Sequence, residues 1–81
     1  MPRAFILAKI EAGKDKVALE KAKKLTGVVA ATHTYGIYDL HIEVKFGSME
    51  ELDEFIFEGM RKIDGIRETV TLVVPLRGGE E

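Results

Sequence analysis

The pattern of apolar and polar positions predicts four β-strands. Residues 3–10 carry apolar side chains along one face and, at the start of the run, on both faces. Residues 40–46 alternate strictly between apolar and polar side chains, which is typical of a strand with one dry face and one polar face. Residues 28–35 and 66–74 are rich in valine and threonine, which favour strands. Pro75 is expected to end the last strand, because proline has no amide hydrogen for the ladder.

Two amphipathic helices are predicted between these strands. In residues 14–25 an apolar stripe recurs at helical spacing, and Gly27 stands where glycine commonly ends a helix. The second helix is expected to begin with a capping box made by Ser48 and Glu51. The apolar stripe of the first helix is Ala18, Ala22 and Leu25, with Val17 beside it, and that of the second is Leu52, Phe55, Ile56, Met60 and Ile63.

Two residues of the second helix need a separate explanation. Gly59 falls inside the apolar stripe, where glycine costs about 1 kcal/mol of helix stability relative to alanine. We therefore expect a close approach of this helix to the sheet. Phe57 falls outside the stripe, so it is either a single exposed apolar residue or part of a subunit contact.

The order of the elements predicts the fold class. Strand, helix, strand, strand, helix, strand is the split βαβ order of a ferredoxin-like α+β fold, with a four-stranded antiparallel sheet and both helices on one face. The 81 residues are expected to form one domain over residues 1–77, with 78–81 as a flexible tail. Because the first strand offers apolar groups to both faces, we expect the open sheet face to be buried in a homodimer of the dimeric α+β barrel type that extends to a larger assembly.

Composition narrows the class of protein. The net charge of −2 provides no basic footprint for nucleic acid, so direct DNA binding by this chain is not expected. The chain has no cysteine, and its first apolar run is far shorter than the roughly 20 residues that span a bilayer, so we expect a cytoplasmic protein without membrane contact. The absence of Asn and Gln together with abundant Lys and Glu is typical of a thermophile.

The segment between the two central strand predictions is the best candidate for a binding site. It reads Tyr-Gly-Ile-Tyr-Asp-Leu, and Gly36 can adopt the positive φ of a tight turn. Asp39 lies where the hairpin opens into the third strand, and its carboxylate either bonds its own backbone or contacts a ligand. Backbone amides at a hairpin tip can bind an anion and a carboxylate can bind an ammonium group. The segment therefore suits a zwitterion such as an amino acid, although a structural turn explains the same residues.

A second cluster could support metal or acid/base chemistry. Asp39, His41 and Glu43 share one face of the third strand, and His33 would lie across from His41 if the loop had three residues. Two histidines and a carboxylate can bind a divalent metal. Any polar strand face produces this spacing, however, so no metal or other cofactor is expected.

The two predicted helices carry opposite charge. One interpretation is that both helix faces are solvated and contain internal ion pairs such as Glu20 with Lys24 and Glu58 with Lys62. The other is that the opposite charges steer assembly between subunits. The lysines are Lys14, Lys16, Lys21, Lys23 and Lys24, and the acids are Glu50, Glu51, Asp53, Glu54 and Glu58.

Several segments resemble the effector domain of the Lrp/AsnC transcription regulators. They are Gly27-Val28-Val29, Tyr35-Gly36-Ile37-Tyr38-Asp39-Leu40, Ile63-Asp64-Gly65-Ile66 and Glu68-Thr69-Val70-Thr71-Leu72-Val73-Val74. The resemblance extends over about Arg3 to Arg77. In that family a helix-turn-helix precedes this domain. Because residue 1 here is almost at the first predicted strand, the resemblance implies a stand-alone effector domain.

The resemblance also implies a function. It implies a regulatory module without catalysis, dimers that assemble into octamers or decamers, and amino-acid effectors held between subunits. A full-length regulator of the family is a further candidate partner. The alternatives are a small ferredoxin-like barrel enzyme that uses His33 or His41, and a purely structural assembly module.

Roles for individual residues follow from the same resemblance. Gly36 supplies the turn beside Tyr35, and Asp39 is the candidate partner of the effector's ammonium group. The amides near Ile37 and Tyr38 are candidates for its carboxylate. Thr69 and Thr71 are weaker candidates for the pocket wall, whereas the two histidines are not part of the family pattern.

Overall fold

The computed structural model describes residues 2–74, which form a four-stranded antiparallel sheet with two helical segments packed on one face. The ferredoxin-like order is confirmed. The predictions for Pro75 and for residues 78–81 lie outside the described residues. The elements are β1 (Arg3–Ile10), α1 (Asp15–Lys23), β2 (Val28–His33), β3 (Leu40–Lys45), α2 (Met49–Glu54) and β4 (Ile66–Val74), and α2 continues into a π-helical turn (Phe55–Gly59) and a 3-10 turn (Met60–Lys62).

The strand order β2-β3-β1-β4 places β1 in the centre of the sheet. Ala8 of β1 faces Leu40 in β3 and Thr69 in β4. Residues that face each other across antiparallel strands point to the same side. The alternation in β1 therefore decides which side chains of β3 and β4 point to the helices.

The core lies between this sheet and the two helical segments. Both predicted helical stripes contact it, whereas Val17 is 54% exposed and belongs to the outer surface of α1. The buried side chains are Ala4, Ile6, Ala8, Ile10, Ala18, Ala22, Leu40, Ile42, Val44, Phe46, Leu52, Met60 and Ile63, with Leu25, Phe55 and Ile56 packed against them.

The predicted start of the second helix is confirmed. The Ser48 hydroxyl accepts the Glu51 amide at 3.2 Å, and the Glu51 carboxylate accepts the Ser48 amide at 3.0 Å, which completes the capping box. Gly27 has a positive φ of 95°, but α1 ends earlier, at Lys23 with Lys24 as its C-cap, so the prediction that Gly27 ends this helix is wrong. The Gly27 carbonyl accepts the amide hydrogen of Lys45 in β3 at 2.9 Å.

The second helical segment differs from the continuous helix that the sequence predicts. Regular α-helix ends at Glu54, and a π-helical turn follows. A Cβ built on Gly59 lies 3.3 Å from the Leu25 side chain at the end of α1. The close approach at Gly59 is therefore to Leu25, and the prediction that it is to the sheet is wrong. Phe57 is 51% exposed, with the Arg61 guanidinium 4.6 Å from its ring centroid.

One ion pair joins the start of α1 to the turn before β4. The Lys14 ammonium lies 2.9 Å from the Asp64 carboxylate. Their hydrogen bond and opposite charges raise the pKa of Lys14 above its ordinary value of 10.5 and lower the pKa of Asp64 below its ordinary value of 3.8. The pair is exposed, so it orients this corner of the molecule more than it stabilises it.

Gly65→Ala is expected to destabilise the protein more than Gly13→Ala. Both glycines have positive φ, 98° and 87°, but a Cβ at Gly65 meets the Lys14 Cβ at 2.9 Å and one at Gly13 meets nothing within 4 Å. The backbone strain alone costs about 1–2 kcal/mol. Denaturant unfolding of both variants measures the difference, and equal losses of unfolding free energy would show that the contact with Lys14 is unimportant.

Candidate ligand-binding site

The loop between β2 and β3 has six residues, 34–39. The Thr34 amide donates to the Asp39 carbonyl at 2.9 Å, and the Thr34 hydroxyl donates to the Tyr38 carbonyl at 2.8 Å. These two bonds close the loop, so β2 ends at His33 and not at Tyr35 as its β-branched composition predicts. The threonine hydroxyl competes here with continuation of the ladder.

The tip of the loop presents two large side chains to solvent. Tyr35 is 95% exposed and Ile37 is 75% exposed. Gly36 between them has φ of 126°, which confirms the predicted positive φ, and a Cβ there would meet nothing within 4 Å. Apolar groups held at a tip in this way are typical of a surface that another molecule covers.

Asp39 has a structural role that neither sequence interpretation foresees. Its Oδ2 accepts the amide hydrogen of Ile10 at 2.9 Å, and its own amide donates to the Ala8 carbonyl at 2.9 Å. The register between β1 and β4 shifts between Lys9 and Ile10. The carboxylate therefore fastens the loop to β1 beside this irregularity, and its second oxygen accepts no hydrogen bond from residues 2–74.

Tyr38 is held near the same end of β1. The Lys9 ammonium lies 5.7 Å from the centroid of the Tyr38 ring, and both side chains are half-buried. The pattern along the chain does not point to Lys9 or Ile10, because their contacts with the loop depend on strand order. The only local signal for these contacts is the polar residue Lys9 near the end of the first alternating run.

The two threonines of β4 are near the loop but do not contact it. Thr69 faces Ala8, and Thr71 faces Ile6, so both point to the helix side of the sheet. Because Ala8 also faces Leu40, Thr69 is two strand spacings, about 10 Å, from the first residue of β3. Within one chain the structure brings Tyr38 and Asp39 together with β1 and leaves the threonines apart.

The predicted pairing of His33 with His41 is wrong. Because the loop has six residues instead of three, His41 faces Thr32 and His33 faces Leu40. The two imidazoles therefore point to opposite sides of the sheet.

Each histidine has its own neighbours. The Nε2 of His33 lies 3.0 Å from the Asp15 carboxylate at the start of α1. The ring of His41 stacks on Phe5 with centroids 5.5 Å apart. No group of three potential metal ligands occurs among residues 2–74.

The open face of the sheet is apolar along β1 and β4. Phe5 faces Leu72, and Leu7 faces Val70. Leu72 is 50% exposed, and the other three are partly exposed. Arg3 and Glu43 form an ion pair at one side of the patch.

In the part of the chain that the structure describes, no helix is long and apolar enough to cross a membrane.

These features define the class of protein as a ferredoxin-like α+β domain with a projecting hairpin loop and an apolar open sheet face. The family model of the Lrp/AsnC ligand binding domain matches residues 3–75. The chain belongs to this family, and the resemblance found in the sequence is confirmed.

Curated relatives are similar over most of this chain. An uncharacterized HTH-type transcriptional regulator of Pyrococcus abyssi is 37% identical over 71 residues, which is 88% of this chain and 45% of that protein. The HTH-type transcriptional regulator FL11 of Pyrococcus furiosus is 34% identical over 88% of this chain and 46% of its own length. The chain spans about half the length of the curated relatives it matches.

Solved structures share the fold. FFRP-DM1 is 38% identical, with a TM-score of 0.86 over 91% of this chain and 99% of that chain. Escherichia coli AsnC is 28% identical, with a TM-score of 0.88 over 99% of this chain and 54% of that chain. The NMB0573/L-Met complex of Neisseria meningitidis, at 20% identity and a TM-score of 0.82 over 99% of this chain and 53% of that chain, has the same fold.

Asp39→Ala is expected to destabilise the fold, whereas Asp39→Asn is not. Alanine leaves the buried amide of Ile10 without its acceptor, which costs about 1–3 kcal/mol. The side-chain oxygen of asparagine can still accept that amide. Denaturant unfolding of both variants measures the difference, and equal stabilities of Asp39→Ala and the unaltered chain would contradict the anchoring role.

Proposed function

We propose that this chain is an amino-acid-responsive regulatory module that oligomerises, binds its effector between subunits and has no catalytic activity. The observation that carries the proposal is the incomplete hairpin site. Asp39 is fixed against β1 by the Ile10 amide, while Tyr35 and Ile37 are largely exposed to solvent. A site whose polar anchor is rigid and whose apolar walls are uncovered needs a neighbouring subunit to enclose a small ligand.

The chemistry of the loop suits a free amino acid. The second carboxylate oxygen of Asp39 is the proposed partner of the ammonium group, and the amides of Ile37 and Tyr38 are the proposed donors to the carboxylate. Because the Ile10 amide already orients the Asp39 side chain, little rotamer entropy is lost when the ligand binds. Thr69 and Thr71 are proposed as wall residues contributed from a neighbouring copy, since they do not reach the loop of their own chain.

The open sheet face is the proposed homodimer interface. Phe5, Leu7, Val70 and Leu72 form an apolar patch on the side of the sheet without helices. Burial of such a patch against a second copy removes apolar area from water at roughly 25 cal/mol per Å². Dimers of this kind are proposed to assemble further into an octamer or decamer.

The proposed mechanism is a shift between assembly states. A ligand changes an equilibrium only by its different affinity for the states, so an amino acid enclosed between subunits favours the assembly that encloses it. The relatives are named as HTH-type transcriptional regulators. A full-length regulator of the family is therefore the proposed downstream partner, with the module itself in the cytoplasm and without direct contact to DNA.

The L-Met complex of the Neisseria regulator supports the ligand class, because its domain shares this fold.

No observation favours the barrel enzyme. His33 and His41 point to opposite sides of the sheet and cannot act in one cavity of a single chain.

Native mass spectrometry with each common amino acid is expected to detect one bound amino acid for each subunit interface. Asp39→Asn is expected to lose this binding, because it keeps the Ile10 bond and removes the charge that pairs with the ammonium group. An ion-paired hydrogen bond of this kind contributes about 1.5–3 kcal/mol, so affinity should fall at least tenfold.

Asp53→Asn is the matched control, since Asp53 is an exposed acid on α2 away from the loop. Its binding should equal that of the unaltered chain. A folded assembly that binds none of the amino acids would refute the effector proposal and leave the structural assembly module in its place.

Leu72→Glu is expected to dissociate the proposed dimer, whereas Val73→Glu is not. The two residues are adjacent in β4 and similarly exposed, 50% and 40%, but Leu72 points to the open face and Val73 to the helix side. Burying an unpaired carboxylate in an apolar interface costs several kcal/mol. Sedimentation velocity measures the mass, and equal behaviour of the two variants would place the dimer contact elsewhere.

A further inference from the structure

The two helical segments on the same face of the sheet carry opposite net charge. Residues 14–25 contain five lysines and two acids, which is a net charge of +3. Residues 48–62 contain five acids and two basic residues, which is a net charge of −3. The helix layer is therefore divided into a basic half and an acidic half that lie side by side.

These charges are only partly neutralised within the chain. Among residues 2–74, the ion pairs within a segment are Glu20 with Lys23 and Glu58 with Lys62, so the predicted partner of Glu20 is replaced by its neighbour. The start of the basic half also pairs with residues outside both segments, Lys14 with Glu11 and Asp64 and Asp15 with His33. Within that range Lys21, Lys24 and Glu54 form no ion pair.

The basic half has an apolar residue beside its unpaired lysines. Val17, Lys21 and Lys24 lie at i, i+4 and i+7 and so share one stripe of α1 and its C-cap residue, Lys24. Val17 is 54% exposed although it is β-branched and apolar. We call this set the basic stripe.

An open groove of about 340 Å³ runs along the acidic half. One wall is formed by residues 51–59, including the carboxylates of Glu54 and Glu58, and the other by residues 25–27 and 44–46, including Lys45. Apolar side chains in the groove include Leu25, Leu52 and Phe55. We call this the acidic groove, and it offers an apolar floor to Val17 and carboxylates to the lysines of the basic stripe.

We propose that the helix layer is a second interface between copies of this chain, in which the basic stripe of one copy lies on the acidic groove of another. Because each copy carries both halves side by side, a two-fold axis allows both contacts to form at once. This surface lies on the opposite side of the sheet from the open face. One copy can therefore bind two neighbours, and this interface does not require an amino acid.

Charge reversal tests the interface on the full 81-residue chain. One variant carries Lys21→Glu and Lys24→Glu, and the other carries Glu54→Lys and Glu58→Lys. Each alone is expected to weaken this contact at least tenfold, because like charges then face each other, so sedimentation velocity should report a smaller assembly. An equimolar mixture of the two is expected to restore the original mass, because each reversed half then meets its complement.

Lys16→Glu with Lys23→Glu is the matched control. It changes the net charge equally and on the same helix, but Lys16 lies beside His33, away from the basic stripe. This variant should keep the original mass, and circular dichroism checks that all variants are folded. Raising salt from 0.1 M to 1 M shortens the screening length from about 10 Å to about 3 Å and should also reduce the mass.

Three results would overturn the proposal: an unaltered chain that never exceeds a dimer, reversal variants that keep the original mass, or a mixture that fails to restore it. Amino-acid binding is measured separately on the same samples. A chain that binds no amino acid but is restored by mixing would refute the effector proposal and support this interface.

Discussion

The arrangement of the whole domain depends on β1, which pairs with β3 on one side and β4 on the other. Its Ala4, Ile6 and Ala8 are fully buried against the helical segments. Any slip of one residue would turn this face to solvent, so the register is strongly determined. The same register assigns a side to every neighbouring residue, and it leaves Phe5 and Leu7 on the open face. The core of a domain this small is marginal by itself, which makes burial of that face by a second copy valuable.

The Asp39 carboxylate connects this sheet to the candidate site. It joins residues 29 positions apart in the chain, because Ile10 ends β1 and Asp39 precedes β3. The loop tip is consequently held on a rigid base while Tyr35 and Ile37 remain exposed. A binding site on a rigid scaffold loses less entropy when a ligand is enclosed, and this is the physical basis for the effector site proposed here.

The two proposed interfaces differ in their chemistry. The open sheet face is apolar along β1 and β4, so the dimer proposed there depends mainly on buried apolar area. The helix layer has separated charges around a small apolar groove, so the contact proposed there depends on ionic strength. If both proposed two-fold contacts form, closed assemblies larger than a dimer follow. In that case the size of the assembly responds to a ligand held at only one kind of contact.

Local chemistry in the sequence determined the extent of β1, the start of β4, the capping box at Ser48, the positive φ of Gly36 and the family. Each of these depends on residues that are close in the chain or on a pattern within one element. Only the tertiary structure decided the acceptor role of Asp39 toward Ile10, the contact of Gly59 with Leu25 and the opposite directions of His33 and His41. These features depend on strand order and on the length of the loop, because they join segments that meet only after the sheet has formed.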